Sequence, residues 1–293
     1  MKRIFRPLSI TMAAMITSIA PSVAAEELRQ GGKLLLTNGI ASLEGSSGGG
    51  LATWSLIAGN ETRDGIGGSV HATVAEFKDY RLDSEGLAVG LFNRVELSYA
   101  RQALNTKAIG QALGLGYGYQ LNQDIYGAKL RVAGDAVYGE PLIPQIAVGI
   151  QHKRNLDSQV TKAVGAIDSE GTDFYVSATK LFLSHSILIG ATARYTKANQ
   201  GGLLGFGGDK NNDYGLQIEG SLGYQLSRKL VIGGEYRTKP DNLSIATEDD
   251  WYDLFAAYAI NRNLTVAAAY VDLGSVATSE EQRGGVVSLR ASF

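Results

Sequence analysis

The chain has 293 residues, three histidines (His71, His152 and His185) and no cysteine. Ser69 and His71 lie two residues apart, a spacing that puts a hydroxyl and a base on one face of a β-strand. An acyl hydrolase would need such a nucleophile and base, together with an orienting group. His152 has no Ser or Thr two residues away, and His185 stands between Ser184 and Ser186 in a short connection. Without cysteine, thiol catalysis, thiolate metal sites and disulfides are excluded. Asp209, Asn211 and Asp213 have the alternate spacing of a calcium loop. The pattern then fails, with Tyr214 where Gly belongs and Gly220 where Glu belongs, so a turn-rich loop is expected. The Gly clusters at 114–118 and 201–208 do not sit between a parallel strand and a helix, as a nucleotide fingerprint would. No metal and no cofactor is expected. Lys and Arg total 27 against 29 Asp and Glu, which argues against a nucleic-acid surface.

The larger body of chemistry-bearing residues is ionic and spaced by twos. Glu96, Lys129, Arg131, Lys153, Arg194, Glu219, Glu235, Arg237, Lys239 and Arg290 all fall on the polar face of alternating segments. Charges of both signs on one face of a sheet are expected to line an interior. They would either bias passage through a water-filled pore or bond with one another to fill it.

Alternation of period two dominates from Gly32 to Phe293, and it is clearest at 214–226. There Tyr214, Leu216, Ile218, Gly220, Leu222, Tyr224 and Leu226 alternate with small or polar residues, the pattern of a strand with two unlike faces. Tyr214 and Tyr224 are roughly 34 Å apart along a strand. At a barrel tilt of about 40° this projects to roughly 26 Å, close to the ~25 Å apolar band between the aromatic girdles of an outer-membrane barrel. Strands are expected near 33–42, 51–59, 66–77, 85–92, 95–102, 124–134, 145–153, 172–182, 186–197, 213–226, 230–239, 250–260, 264–272 and 285–293. Helical turns are expected around 159–167.

The expected fold is therefore all-β: a closed antiparallel transmembrane barrel of fourteen strands. If the Gly-rich stretch of residues 31–50 is a plug or a tail, twelve strands remain. Tight connections at 93–94, 183–185, 227–229 and 261–263 alternate with long ones at 103–123, 155–171, 198–213, 240–248 and 274–284. Short periplasmic turns and longer extracellular loops account for this. Composition agrees, with 37 Gly, 14 Tyr and only 19% charged residues, below the ~25% usual for soluble domains.

Residues 1–25 read as a secretory signal peptide, with Lys2, Arg3 and Arg6 ahead of a short apolar run and Val23-Ala24-Ala25 at the cleavage site. Residues 26–293 then form one barrel domain in the cell outer membrane. Phe293 closes an alternating strand in the manner of the C-terminal signal read by the barrel-assembly machinery. The partners expected are that machinery, outer-membrane lipid and a small solute.

The strings GGKLLLTNG (31–39), RVELSYARQ (94–102), PQIAVGIQHKRN (144–155), GTDFYVSATKLFL (171–183), LLGFGGDK (203–210), LSRKL (226–230), EYRTKPDNL (235–243) and AYVDLG (269–274) resemble a proteobacterial domain-of-unknown-function family, numbered 3034. The resemblance covers nearly the whole chain after the signal peptide. It implies a Gram-negative envelope barrel and supplies no functional residues. The expected function is a passive pore for small solutes, not an enzyme. The alternatives are a filled barrel presenting loops 198–213 and 240–248 to a partner and, third, a lipid hydrolase using His71 or His152.

Overall fold

Side chains that alternate between two solvents need a sheet with two complete faces, and a closed sheet supplies them without exposed edges. In the computed structural model, which describes residues 32–63, 65–140 and 142–293, two short strands precede twelve long ones. The short pair is β1 (Ile40–Ala41) and β2 (Ser47–Gly48). The long strands are β3 (Ile66–Phe77), β4 (Arg81–Leu91), β5 (Val95–Asn105), β6 (Gln120–Ala133), β7 (Gln145–Asn155), β8 (Glu170–Phe182), β9 (Ile187–Thr196), β10 (Gly215–Ser227), β11 (Leu230–Arg237), β12 (Trp251–Ala259), β13 (Leu264–Asp272) and β14 (Arg283–Ser292). Each of these twelve pairs antiparallel with its neighbours in sequence, and β14 pairs with β3 to close the barrel. The expected signal peptide lies outside the described residues.

The number of strands follows the twelve-strand alternative. Segments 33–42 and 51–59, read as strands under the fourteen-strand expectation, do not join the wall. They run into the lumen and back as a hairpin, with β1 paired to β2 near its tip. Leu34, Leu35 and Leu36 are consecutive and cannot alternate between two faces, which is the physical reason for the difference.

The wall behaves as alternation requires. Leu216, Leu222 and Leu254 are exposed on the outside, whereas Glu219 and Asp253 on the same strands, and Glu235 on β11 between them, are buried inside. Aromatic residues ring both ends of the apolar belt, Tyr195, Tyr252 and Tyr270 towards one mouth and Tyr224, Tyr258 and Phe293 towards the other. The mouth carrying Phe293 is termed the base and the opposite mouth the top.

Two connections depart from the short–long rule. The top turn at 78–80 is tight, closed by Phe77 N–H donating to the Tyr80 carbonyl (2.9 Å), and β4 therefore starts at Arg81, earlier than expected. The base connection at 134–144 is long. Lys180 Nζ donates to the carbonyls of Asp135 (3.1 Å), Glu140 (3.0 Å) and Ile143 (3.1 Å), folding this loop beneath the lumen. Helical turns form in two top loops, α1 (Lys107–Ala112) and α2 (Ser158–Ala163). α2 falls where helix was expected.

The top is lidded by the loop spanning 197–214, a short 3₁₀ turn within it (Asn199–Gly202), and the loop at 238–250. Their apolar side chains Leu203, Leu204 and Leu243 join Phe77, Tyr80 and Val276 in one cluster. Phe206 is fully buried and bridges to Asp168 by paired backbone bonds of 2.8 and 3.1 Å. Its ring occupies the space left by Gly171, where any side chain would collide with it. Phe206→Ala should remove about 3–5 kcal/mol of local stability. Limited trypsinolysis is expected to cut faster after Lys197 while the strands stay intact; an unchanged rate would contradict the lid's dependence on this ring.

Candidate functional site

An irregular segment inside a barrel brings backbone N–H and C=O groups that no sheet ladder satisfies, and each unmet group is costly away from water. The wall answers with side chains. Carboxylates take the N–H groups. Glu96 accepts from Ser47 N (3.1 Å) and Ala58 N (2.8 Å), Glu219 from Thr53 N (2.6 Å), and Glu235 from Leu51 N (2.7 Å) and Ala52 N (3.3 Å). Cations take the carbonyls. Lys129 donates to Ser47 O (2.7 Å) and Leu56 O (2.8 Å), Arg237 to Leu51 O (3.2 Å), and Arg290 to Asn38 O (2.8 Å) and Gly39 O (2.7 Å). Hydroxyls and amides take others. Thr192 donates to Thr53 O (2.5 Å), and both Ser84 (2.8 Å) and Gln102 (2.7 Å) donate to Leu43 O.

Of the ten interior residues expected from the sequence, eight therefore reach residues 38–58, because Lys153 and Arg194 bind side chains of the same segment. Arg131 and Lys239 do something else. Arg131 holds the base loop through Gly134 O (2.6 Å) and Asp135 (2.9 Å). Lys239 lies beyond the end of β11 and holds the top loops through Glu248 (2.6 Å) and Ser275 O (3.2 Å).

The densest part of the network surrounds Glu44 of the plug. Its carboxylate meets Lys153 (2.6 Å), Arg237 (3.0 Å) and Arg194 (3.4 Å). Arg194 also binds Glu219 (2.6 Å), Gln151 (2.7 Å) and Thr53 Oγ1 (2.7 Å), and Lys153 also binds Asp173 (2.8 Å). Burial alone would raise the Glu44 pKa, but Arg237, Lys153 and Arg194 outweigh it and hold the carboxyl well below its ordinary range. Glu44 is thus a permanent anion.

Below this level, Trp54 Nε1 donates to Ser221 Oγ (2.8 Å) and Glu235 (3.1 Å), with its ring 6.4 Å from that of Phe255. Gly90 in the wall leaves room for the Ala58 carbonyl, which a side chain there would strike. The fit is close: two cavities between plug and wall measure about 30 Å³ each, room for about one water apiece. A larger hollow of about 450 Å³ lies at the base, between Lys33, Ile57, Asp135 and Gln145.

Glu44, Asp173, Lys180 and Trp54 escaped the sequence reading. Asp173 shares the inward alternation of Tyr175 and Ser177 and was legible by that rule. Glu44 and Trp54 lie in the non-alternating stretch, where periodicity carries no information.

The three histidines lie apart, in β3, in β7 and in the base turn between β8 and β9. Ser69 and His71 both face inward and are buried, and the Ser69 hydroxyl is engaged by Arg290 Nη2 (3.1 Å). His152 faces outward and meets Thr172 across the β7–β8 pair (3.0 Å), a contact invisible to in-strand spacing. Among the described residues no carboxylate is bonded to that ring. His185 contacts its neighbour Ser184 (2.8 Å) in the base turn. Asp209 caps the adjacent loop by accepting from Ser244 N (2.9 Å), and Asn211 accepts from Asp213 N (3.1 Å), the contacts of a turn-rich loop.

A closed, apolar-belted barrel of twelve antiparallel strands, aromatic at both rims and filled by its own N-terminal segment, has the fold of outer-membrane β-barrels of the porin kind. The chain is similar to several solved structures. The KdgM porin is 12% identical with a TM-score of 0.51, covering 77% of this chain and 99% of that one. The NanC porin is 11% identical with a TM-score of 0.47, covering 77% and 98%. Outer membrane phospholipase A from Escherichia coli is 11% identical with a TM-score of 0.44, covering 77% and 92%. In sequence, residues 37–290 match the family described as "Protein of unknown function (DUF3034)", and the chain belongs to it. The sequence has no match among curated proteins.

At the base, Lys33 donates to Ile57 O (2.7 Å) and lies 3.7 Å from Glu61. Burial pushes the Glu61 carboxyl up to about 7, against the pull of Lys33, and burial pulls Lys33 down to about 8, with Glu61 opposing. A carboxyl with a raised pKa takes up a proton on docking, so its contribution is fullest below its free value and fades as pH rises through about 7. Of this pair, Lys33 stays charged between pH ~4.5 and ~7 while Glu61 titrates. In a Trp251→Phe background, acrylamide quenching of Trp54 should increase as pH rises through this window, and Glu61→Gln should flatten the response. A pH-independent profile in the Glu61 protein would contradict the assignment.

Proposed function

We propose that this protein is an outer-membrane channel for small solutes, held shut by its own residues 33–60. The observation that carries this reading is the chemistry of the plug–wall boundary. The wall holds the plug chiefly through charged and polar side chains bonded to its backbone, and these are groups that water can satisfy when the plug leaves. An apolar interior could not be flooded at comparable cost. A barrel of twelve strands also exceeds the roughly eight whose side chains fill the interior unaided, so the lumen without the plug would be open. In the membrane the base would face the periplasm and the top outward, with the plug's entry and Phe293 on the periplasmic side. Phe293, exposed at the end of β14, would be the signal read by the assembly machinery.

One observation favours the second reading, a closed barrel that displays its top. Asn242 Nδ2 donates to Lys197 O (3.2 Å) and Asn199 Oδ1 (3.0 Å), and Lys210 N donates to Asn242 O (3.0 Å). These bonds give the two lid loops a fixed outer surface.

Planar-bilayer recording separates the two. The full chain should be nearly silent. Deletion of residues 33–58, and independently Gly90→Leu, which drives a side chain against the Ala58 carbonyl, should produce sustained conductance. Silent variants that retain the folded, heat-modifiable barrel would reject the channel and leave the display reading.

A further inference from the structure

The plug neutralises the wall unevenly, and the imbalance has a sign. Around Glu44 the wall presents three cations, Lys153, Arg194 and Arg237, against two carboxylates, Asp173 and Glu219. All five are buried, and Lys153 and Arg194 almost completely so. Glu44 supplies the missing negative charge. When the plug leaves, the cluster carries one uncompensated positive charge inside the barrel, with Arg194 pinned over the Tyr175 ring (5.2 Å) and Arg237 over Trp251 (5.6 Å). These aromatic supports, and the bonds from Arg194 to Gln151 and Glu219, hold the guanidinium groups in place without Glu44. Guanidinium groups and an ammonium fixed by the wall and converging on one point favour an incoming oxyanion over water.

We propose that Lys153, Arg194 and Arg237 form a binding site for carboxylate-bearing solutes in the transport path, and that Glu44 is an internal surrogate occupying it in the closed state. This rests on the channel reading for its role in transport but not for the binding itself. Closure and recognition then use one set of contacts: the side chain that seals the lumen has the chemistry of the solute that the open lumen selects. The 3₁₀ turn lies directly above, where the Gly201 carbonyl accepts from Lys153 (3.1 Å) and no side chain at Gly201 stands between it and Glu44. The site is thus roofed by backbone and would become accessible when this turn and the plug separate.

Chemical rescue tests the site in the full-length chain. Glu44→Ala removes the equivalent of one acetate from the plug, leaving the three cations facing a space of that size. Loss of one partner from a buried ionic cluster costs several kcal/mol, so the fraction of undocked plug should rise by about 100-fold or more. This is read as increased acrylamide quenching of tryptophan and as openings in planar bilayers. Sodium acetate should reverse both effects saturably at millimolar concentration. The neutral isostere acetamide should not, and wild type should respond to neither. Arg237→Gln added to Glu44→Ala should abolish the rescue. Openings in Glu44→Ala should also favour chloride over potassium. Equal effects of acetate and acetamide, or a cation preference in the open state, would overturn the site. Because rescue is also read by fluorescence, acetate-specific protection in a variant that never conducts would keep the site and reject only the channel.

Discussion

Everything inside this barrel is arranged around the need to satisfy an irregular backbone where water and sheet ladders are both missing. Residues 38–58 bond to themselves only through the short β1–β2 pair and a few turn contacts such as Leu43 N–H to Gly50 O (3.1 Å), so many of their other N–H and C=O groups find partners among the wall's side chains. Each interior carboxylate on β5, β10 and β11 meets one or two plug N–H groups, and Lys129, Arg237 and Arg290 meet plug carbonyls. Charged partners make the stronger hydrogen bonds, and a buried charge is tolerated only when it is bonded in this way. The ionic wall and the irregular plug therefore depend on each other: neither would be tolerable in a dry lumen without the other.

This mutual dependence links fold to function. An interior filled by apolar packing is held in place because water cannot replace its contacts. An interior filled by hydrogen bonds from ionic side chains can exchange those bonds for water, so on the proposed channel reading the same wall would serve a closed state and an open one. On that reading the barrier between the two would be set by the Glu44 cluster, where the charge of the plug meets the charge of the wall. The pair of Lys33 and Glu61 sits at the other end of the plug, close to where it meets the chain's own terminus through Asn60 N–H donating to Phe293 O (2.9 Å). The base of the plug is thus bound to the end of the last strand, and on the channel reading its release would begin within the lumen or at this junction.

Most of the wall was legible in the sequence because a single rule governs it. In β5, β10 and β14, one face meets an apolar exterior and the other an ionic interior, so Leu97 against Glu96, Ile218 against Glu219 and Leu289 against Arg290 read directly as outside and inside. The plug obeys no such rule. From Gly32 to Asn60 each residue's surroundings depend on which part of the wall it meets, and adjacent residues Thr53, Trp54 and Ser55 are all buried against different strands. Alternation is silent there, and the Gly-rich composition only raised the alternative of a plug. The long base loop at 134–144 escaped for a related reason: it is held by the distant Lys180, not by a local pattern.

The central claim is that the plug's backbone is bonded to the charged wall, and amide hydrogen exchange tests it most directly. The amides of Ser47, Leu51, Thr53 and Ala58, which donate to Glu96, Glu235 and Glu219, should be protected to a degree comparable with strand amides in β5. Glu235→Gln should lower protection at Leu51 and Ala52 before any strand amide responds. Exchange of these plug amides at the rate of an unstructured peptide, beside fully protected strands, would contradict the account.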